Sequence, residues 1–270
     1  MVSILPHVIA ALLYAGLAVA FRLRRASHPV ATAAPGLLHH AVLVPLALQT
    51  WLLYRDVFSG PDMYMGVGTA ISMIVWLTLL IYWTGSLLYL IEAMQFMVLP
   101  IAAVAVLLPL LLPPSKPLIN AAMPAFRWHV VISMLAYSLF TIASLQALLM
   151  TVAETRLRSG VIAPAQGRLP PLLTMEKLLF RVIAAGFVLL TLSLGSGMLF
   201  SEELFGKPLQ FSHKTVFGIA SWLIFGGLLV GRWRWGWRGK VAMRWTLAGF
   251  GTLVLAYLGS KFVLEVILQR

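Results

Sequence analysis

Cysteine is absent from this 270-residue chain. That absence excludes disulfides, thiolate metal sites, thiol-relay chemistry and any CxxCH attachment of a covalent haem. Charge is scarce as well. Charged residues make up 10% of the sequence, whereas a soluble domain carries roughly 25%. Acidic residues are the scarcer sign, eight Asp and Glu against 20 Lys and Arg. No HExxH, GxSxG, phosphate-binding loop or pair of catalytic carboxylates is present, so no catalytic residue is assigned and the sequence supports no particular enzymatic reaction.

What fills the chain instead is apolar. Hydrophobic residues account for 61% and the mean hydropathy is +0.94, with apolar runs of about 18 or more residues recurring along the whole length. No soluble fold hides that much apolar surface, so the expected fold class is all-α: one polytopic transmembrane domain over residues 1–270, with about eight membrane helices. The net charge of +12 does not point to nucleic acid. The basic residues stand in short clusters between apolar spans, where anionic lipid and the orientation rule account for them, and no nucleic-acid motif accompanies them.

The expected spans are about Ile4 to Phe21, Gly36 to Tyr54, Met65 to Trp83, Phe96 to Leu112, His129 to Val152, Leu178 to Phe200, His213 to Gly231 and Trp245 to Leu268. Arg22, Arg24 and Arg25 follow the first span, the reverse of a secretory signal, so this span is expected to be an uncleaved helix. Gly60, Pro61, Pro113, Pro114 and Pro117 break the connections. The segment up to Arg127 and the polar stretch Glu154 to Lys177, with Pro164, Pro170 and Pro171, read as loops, and Arg232 to Arg244 as a basic connector. Thr84 to Gln95 fits either neighbouring helix. Placing Arg22, Arg24, Arg25, Arg156, Arg158, Arg168, Lys177, Arg181, Arg232, Arg234, Arg238, Lys240 and Arg244 on one side gathers thirteen of the twenty cationic residues there. That side is the cytoplasm of a bacterial inner membrane, which puts both termini outside.

A polar residue inside a membrane span needs a reason. His129, Ser133, Tyr137, Thr141 and Ser144 recur at helical spacing and share one face, expected to meet other helices. His129 opens the fifth span and His213 the seventh, both at the outer end and at similar depth. Two imidazoles so placed suit opposite faces of one metal or haem iron, and the adjacent Arg127 and Lys214 suit the propionates. Each also has a plainer reading, as a hydrogen-bonding interfacial histidine or a snorkelling cation. His40 lies near the cytoplasmic end, too far to join that pair. Trp233, Trp235 and Trp237 alternate with arginine as an interfacial belt does. Gly227 and Gly231 form a GxxxG compatible with close helix contact. Gln49 and Pro45 are the candidates for a mid-membrane solute site, and Lys261 and Glu265, with Tyr257 a turn before, suit an ion pair or the outer site.

The segment from Trp128 through His129 to Tyr137 resembles the histidine-led helix of the haem-handling cytochrome c assembly membrane proteins of the CcsA/CcmC type. Pro170 to Lys177, Leu189 to Leu192 with Gly197, His213-Lys214-Thr215 with Trp222, Trp237-Arg238-Gly239 and Ala256 to Lys261 are similar to the YpjD/HemX-like branch of that family. The resemblance is strongest from His129 onward, and the first four spans match in number and in His40. It implies an inner-membrane helix bundle that binds b-type haem non-covalently through histidines, acts in haem handling or cytochrome c biogenesis, and has assembly or haem-synthesis proteins as partners. His129 matches the family's outer-face histidine. The tryptophan-rich WGxxWxWD segment of the ligase members is missing, and Phe205 to Ser212 stands in its place. The histidine expected near the last span is missing too. Haem binding therefore carries over better than haem ligation. A membrane scaffold or regulator of haem synthesis or cytochrome assembly fits the same residues, and a small-solute or metal-ion transporter is the third reading.

Overall fold

The computed structural model describes residues 4–27, 37–58, 63–87, 94–113, 116–118, 123–158, 171–199 and 213–259. Ten α-helices follow one another in these residues: α1 Ile4–Ser27, α2 Leu37–His40, α3 Leu43–Val57, α4 Val67–Ser86, α5 Gln95–Ala105, α6 Leu108–Leu111, α7 Pro124–Arg158, α8 Leu172–Leu199, α9 His213–Trp235 and α10 Lys240–Val254. Five of them, α1, α4, α7, α8 and α9, are long and apolar enough to cross a bilayer, and the 10–17-residue range adds the shorter apolar stretch Gln95–Leu111. The chain is an all-α polytopic membrane protein.

Proline explains where the apolar stretches break. A helical proline lacks an N–H, and its ring collides with the carbonyl four residues earlier. For Pro45 that carbonyl belongs to Ala41, the point at which the second span divides into α2 and α3. For Pro109 it belongs to Ala105, the last residue of α5. Elsewhere the helices run further than expected. α7 starts at Pro124, where a missing N–H costs nothing, rather than after Arg127. α7 extends to Arg158 and α8 begins at Leu172, so helix takes both ends of the stretch expected as a polar loop. The supposed connector from Arg232 to Arg244 shrinks to the turn 236–239, because α9 continues to Trp235 and α10 starts at Lys240. Gly236 and Gly239 both adopt positive φ, 66° and 54°, a conformation that glycine tolerates without a Cβ clash.

α7 is the central element. It packs against α8, α10 and α4, while α1 lies against α3 and α5. Two apolar cores result. One joins Ala70 and Ile74 of α4 to Phe140, Leu179, Ile183, Phe225 and Leu253. The other joins Tyr14 to Leu46, Leu79, Leu99 and Ala102. Phe140 of α7 and Phe225 of α9 stack at 3.9 Å. α1, α3 and α4 are also tied by buried polar groups. Tyr14 donates to Gln49 Oε1 at 2.7 Å, and the Gln49 amide donates to Ser72 Oγ at 3.0 Å and Ser72 O at 3.1 Å. Gln49 is thereby a structural clasp between α1, α3 and α4.

At about 1.5 Å per residue, the 25 residues from His129 to Glu154 span on the order of 37 Å, so these two positions lie at opposite ends of the bundle. We call them the histidine end and the basic end. At the histidine end a short antiparallel pairing of β1 Tyr64–Met65 with β2 Lys116–Pro117 clamps the chain beside the start of α4. At the basic end Trp233 and Trp235 are 84% and 67% exposed, as a belt requires. Trp237 instead turns inward, 4.9 Å from the Trp245 ring, and lies where a Cβ on Gly231 would stand. Gly227 faces the Trp245 ring, so this GxxxG admits tryptophan rings rather than a second helix backbone.

Candidate haem site at the histidine end

The polar face of α7 meets α8 and α10. Ser133 Oγ donates to the His129 carbonyl at 2.7 Å and lies 2.6 Å from Ser193 Oγ. Ser196 Oγ donates to the Ser193 carbonyl at 3.1 Å and lies 2.8 Å from His129 Nδ1. Ser133 and Ser193 can share a proton in either direction, and Ser196 can give its single proton to the Ser193 carbonyl or to His129 Nδ1. With that proton on the carbonyl, His129 Nδ1 donates to Ser196, the tautomer whose Nε2 lone pair ligates a metal with a hydroxyl as orienting partner. Gly197 follows Ser196, and a Cβ there would lie 3.3 Å from His129 Cε1, so the absent side chain lets the imidazole lie against α8.

Further along the same face, Tyr137 donates to the Leu253 carbonyl at 2.9 Å. α10 passes at Leu255–Gly259 into a single π-helical turn, and the change of register loosens the backbone ladder where Tyr137 binds. That turn presents Tyr257. Its ring lies 6.0 Å from Tyr137 and under the Lys214 ammonium at 5.3 Å, and its hydroxyl points to Met65 Sδ at 3.6 Å. The charge of Lys214 reaches His129 as well. His129, Tyr137 and Lys214 are thus brought together. His213 is exposed at the first turn of α9, one residue before Lys214 and so about 100° from it around the helix. Arg127 is exposed two residues before His129, about 200° around α7.

His40 lies at the basic end, in α2. Its ring meets those of Trp83 at 6.1 Å and His39 at 5.4 Å. Ser86 Oγ donates to the Trp83 carbonyl at 2.6 Å, so it accepts from His39 Nε2 at 2.8 Å, and His39 Nδ1 accepts from the Gln95 amide. Both nitrogens of His39 are therefore occupied. Trp83 Nε1 and Gln95 Oε1 are buried beside this cluster without a hydrogen-bond partner.

The sequence reading missed His7 and Asp56. His7 is 1% exposed and its Nε2 lies 3.2 Å from Asp56 Oδ2, while Arg55 Nη2 lies 3.1 Å from Asp56 Oδ1. Burial raises the Asp56 carboxyl, but bonds from His7 and Arg55 outweigh it and hold the group below its usual range. Ser193 and Ser196 were missed too. Their signal was a pair three apart on α8, matching the four-residue step from His129 to Ser133. Lys261, Glu265, His28 and the Phe205 to Ser212 segment lie outside the described residues.

The profile of the "Cytochrome C assembly protein" family matches residues 37–268. The chain belongs to that family. It is 34% identical over 146 residues to "Inner membrane protein YpjD" of Escherichia coli (strain K12), covering 54% of each chain. It is 32% identical over 89 residues to "Cytochrome c biogenesis protein CcsA" of Prochlorococcus marinus (strain NATL1A), covering 33% of this chain and 28% of that one. The chain spans about half the length of the YpjD relatives it matches. No solved structure matches it. These relatives agree with the YpjD-like branch of the cytochrome c assembly family.

The donor set at the histidine end fits haem. It supplies an imidazole held at Nδ1 by Ser196, ring-bearing neighbours in Tyr137 and Tyr257, and a cation in Lys214. Among the described residues no group of three or more His, Asp or Glu residues is arranged to hold a bare metal ion.

Proposed function

We propose that the protein is an inner-membrane haem-binding member of the cytochrome c assembly family that handles b-type haem during cytochrome c biogenesis. The carrying observation is the cluster of serine hydroxyls around His129, with Ser196 Oγ 2.8 Å from Nδ1 and Ser133 Oγ donating to the His129 carbonyl, which holds the imidazole in one orientation against α8. His129 would be the iron ligand contributed by α7, and His213 the one contributed by the first turn of α9. Lys214 and Arg127 would offer charge to the propionates, and Tyr137 would form the wall toward α10. Haem would supply an iron centre whose visible spectrum reports its ligands. The residues here would hold it, orient it and keep its charged edge near water. His40 belongs to the opposite end and would serve a separate inner site. Assembly or haem-synthesis proteins are the proposed partners.

In this reading the chain is a single domain over residues 1–270 with eight membrane passages, both termini outside and the histidine end facing outward, following the distribution of Lys and Arg. The chain has no cysteine, so single labels report topology directly. Met123→Cys should react with an impermeant thiol reagent in intact cells and Thr155→Cys should not; the reverse pattern would overturn the orientation. For haem, the purified protein is expected to show a Soret band. His129→Ala and His213→Ala should each lower haem content or shift the reduced spectrum, with His28→Ala unchanged. A folded wild-type protein that takes up no supplied haem would refute the reading.

A further inference from the structure

At the basic end, α7, α8 and the start of α10 line an open cavity of about 440 Å³ whose charged residues are Glu154, Arg158, Glu176, Arg238 and Lys240. Its two kinds of charge are not equivalent. The carboxylates are turned inward and already engaged. Glu176 is 8% exposed, 2.8 Å from Arg232, and accepts the Gly239 N–H at 3.2 Å. Glu154 is 22% exposed and 2.8 Å from Arg158. The cations stand at the mouth. Arg158 is 67% exposed and Arg238 64%, the latter at a loose 3.8 Å from Glu176, and Lys240 is exposed beside them. A guanidinium has five donors, so Arg158 and Arg238 keep several for a ligand. The floor is apolar, formed by Met150, Leu172, Leu173 and Met243.

We infer that this cavity is a binding site for one anionic phospholipid, its phosphate and headgroup held by Arg158, Arg238 and Lys240 and the upper part of an acyl chain lying on the methionine and leucine floor. A cationic mouth over an apolar floor suits an anionic amphiphile, and a free phosphate would leave the floor unused. The exposed Trp233 and Trp235 at the end of α9 put this end of the bundle at headgroup level. The inference uses only the membrane-spanning fold and stands or falls apart from haem binding.

The test is native mass spectrometry of the full chain titrated with dioleoyl phosphatidylglycerol, with dioleoyl phosphatidylcholine and with glycerol phosphate. The expected result is one tightly held phosphatidylglycerol. R238Q/K240Q should weaken it on the order of tenfold, since two surface cations are removed. R234Q/R244Q removes the same charge from exposed positions outside the cavity and should leave binding within about twofold. L173W fills the floor from an exposed position, keeps every charge and should also weaken phosphatidylglycerol. Equal losses in the two double variants, wild-type binding in L173W, or displacement of the lipid by equimolar glycerol phosphate would each overturn the assignment; the last would make the ligand a soluble phosphate. Haem content in R238Q/K240Q should match wild type, which keeps the two readings separable.

Discussion

His129 and His39 stand at opposite ends of the bundle, and both are gripped by a serine hydroxyl at 2.8 Å. The grip has opposite consequences. When Ser196 gives its proton to the Ser193 carbonyl it takes the Nδ1 proton of His129, the tautomer whose Nε2 can ligate iron in the proposed site. Ser86 likewise spends its proton on a carbonyl and takes the Nε2 proton of His39, but Gln95 then occupies Nδ1. The first network suits the ligand role proposed for His129, and the second ties α2 to α4 and α5. Histidine alone is therefore no marker of a site in this family member; the hydrogen bonds around it decide.

Removing the serine on each side sharpens that contrast. Ser196→Ala deletes the orienting acceptor while retaining His129, and the expected result is a haem affinity lower by about tenfold, the low end for such a partner. Ser86→Ala should leave haem at the histidine end unchanged and cost about 1 kcal/mol of stability, the ordinary worth of a hydrogen bond. Haem titration and thermal unfolding of the two variants in parallel separate the roles. Equal haem affinity in Ser196→Ala and wild type would remove the basis for treating the two ends differently.

Much of this architecture is legible in the residues, and its gaps have physical causes. Apolar length reveals the membrane helices because lipid demands it of every span. Their interruptions at Ala41 and Ala105 were not expected, although Pro45 and Pro109 carry that information four residues downstream. The face His129, Ser133, Tyr137 reads directly from helical spacing, and it does meet other helices. Its partners Ser193, Ser196 and Leu253 belong to elements 60 and more residues away, a pairing that periodicity does not encode. His213 and Arg127 show the limit from the other side. Outer depth groups His213 with His129, and adjacency groups Arg127 with it, but neither tells where around its helix each stands: His213 about 100° from Lys214 and Arg127 about 200° from His129. The contact of His7 with Asp56 joins two helices 49 residues apart, and each residue read alone is an unremarkable terminal polar group.

The comparison extends to a charged clasp, the smallest of the expected effects. At the histidine end, Asp56 binds His7 of α1 and its own neighbour Arg55, whereas the clasp Tyr14, Gln49, Ser72 deeper in the bundle is uncharged. Only the charged clasp should respond to acid. The Asp56 carboxyl is held below its ordinary range in the folded protein, so the folded state binds fewer protons there than the unfolded chain does. Its contribution is fully present above the unfolded carboxylate value of about 3.9 and is lost as pH falls through the lower folded value. Asp56→Asn keeps an acceptor for His7 and removes the charge, which should cost up to about 1 kcal/mol at neutral pH for a partly exposed group. The difference in unfolding temperature between wild type and Asp56→Asn should hold steady from neutral pH to about pH 5 and close below about pH 4. A gap unchanged through that acid window would show that His7 and Arg55 do not hold the carboxylate, and α1 would then depend on the Tyr14 clasp and apolar packing alone.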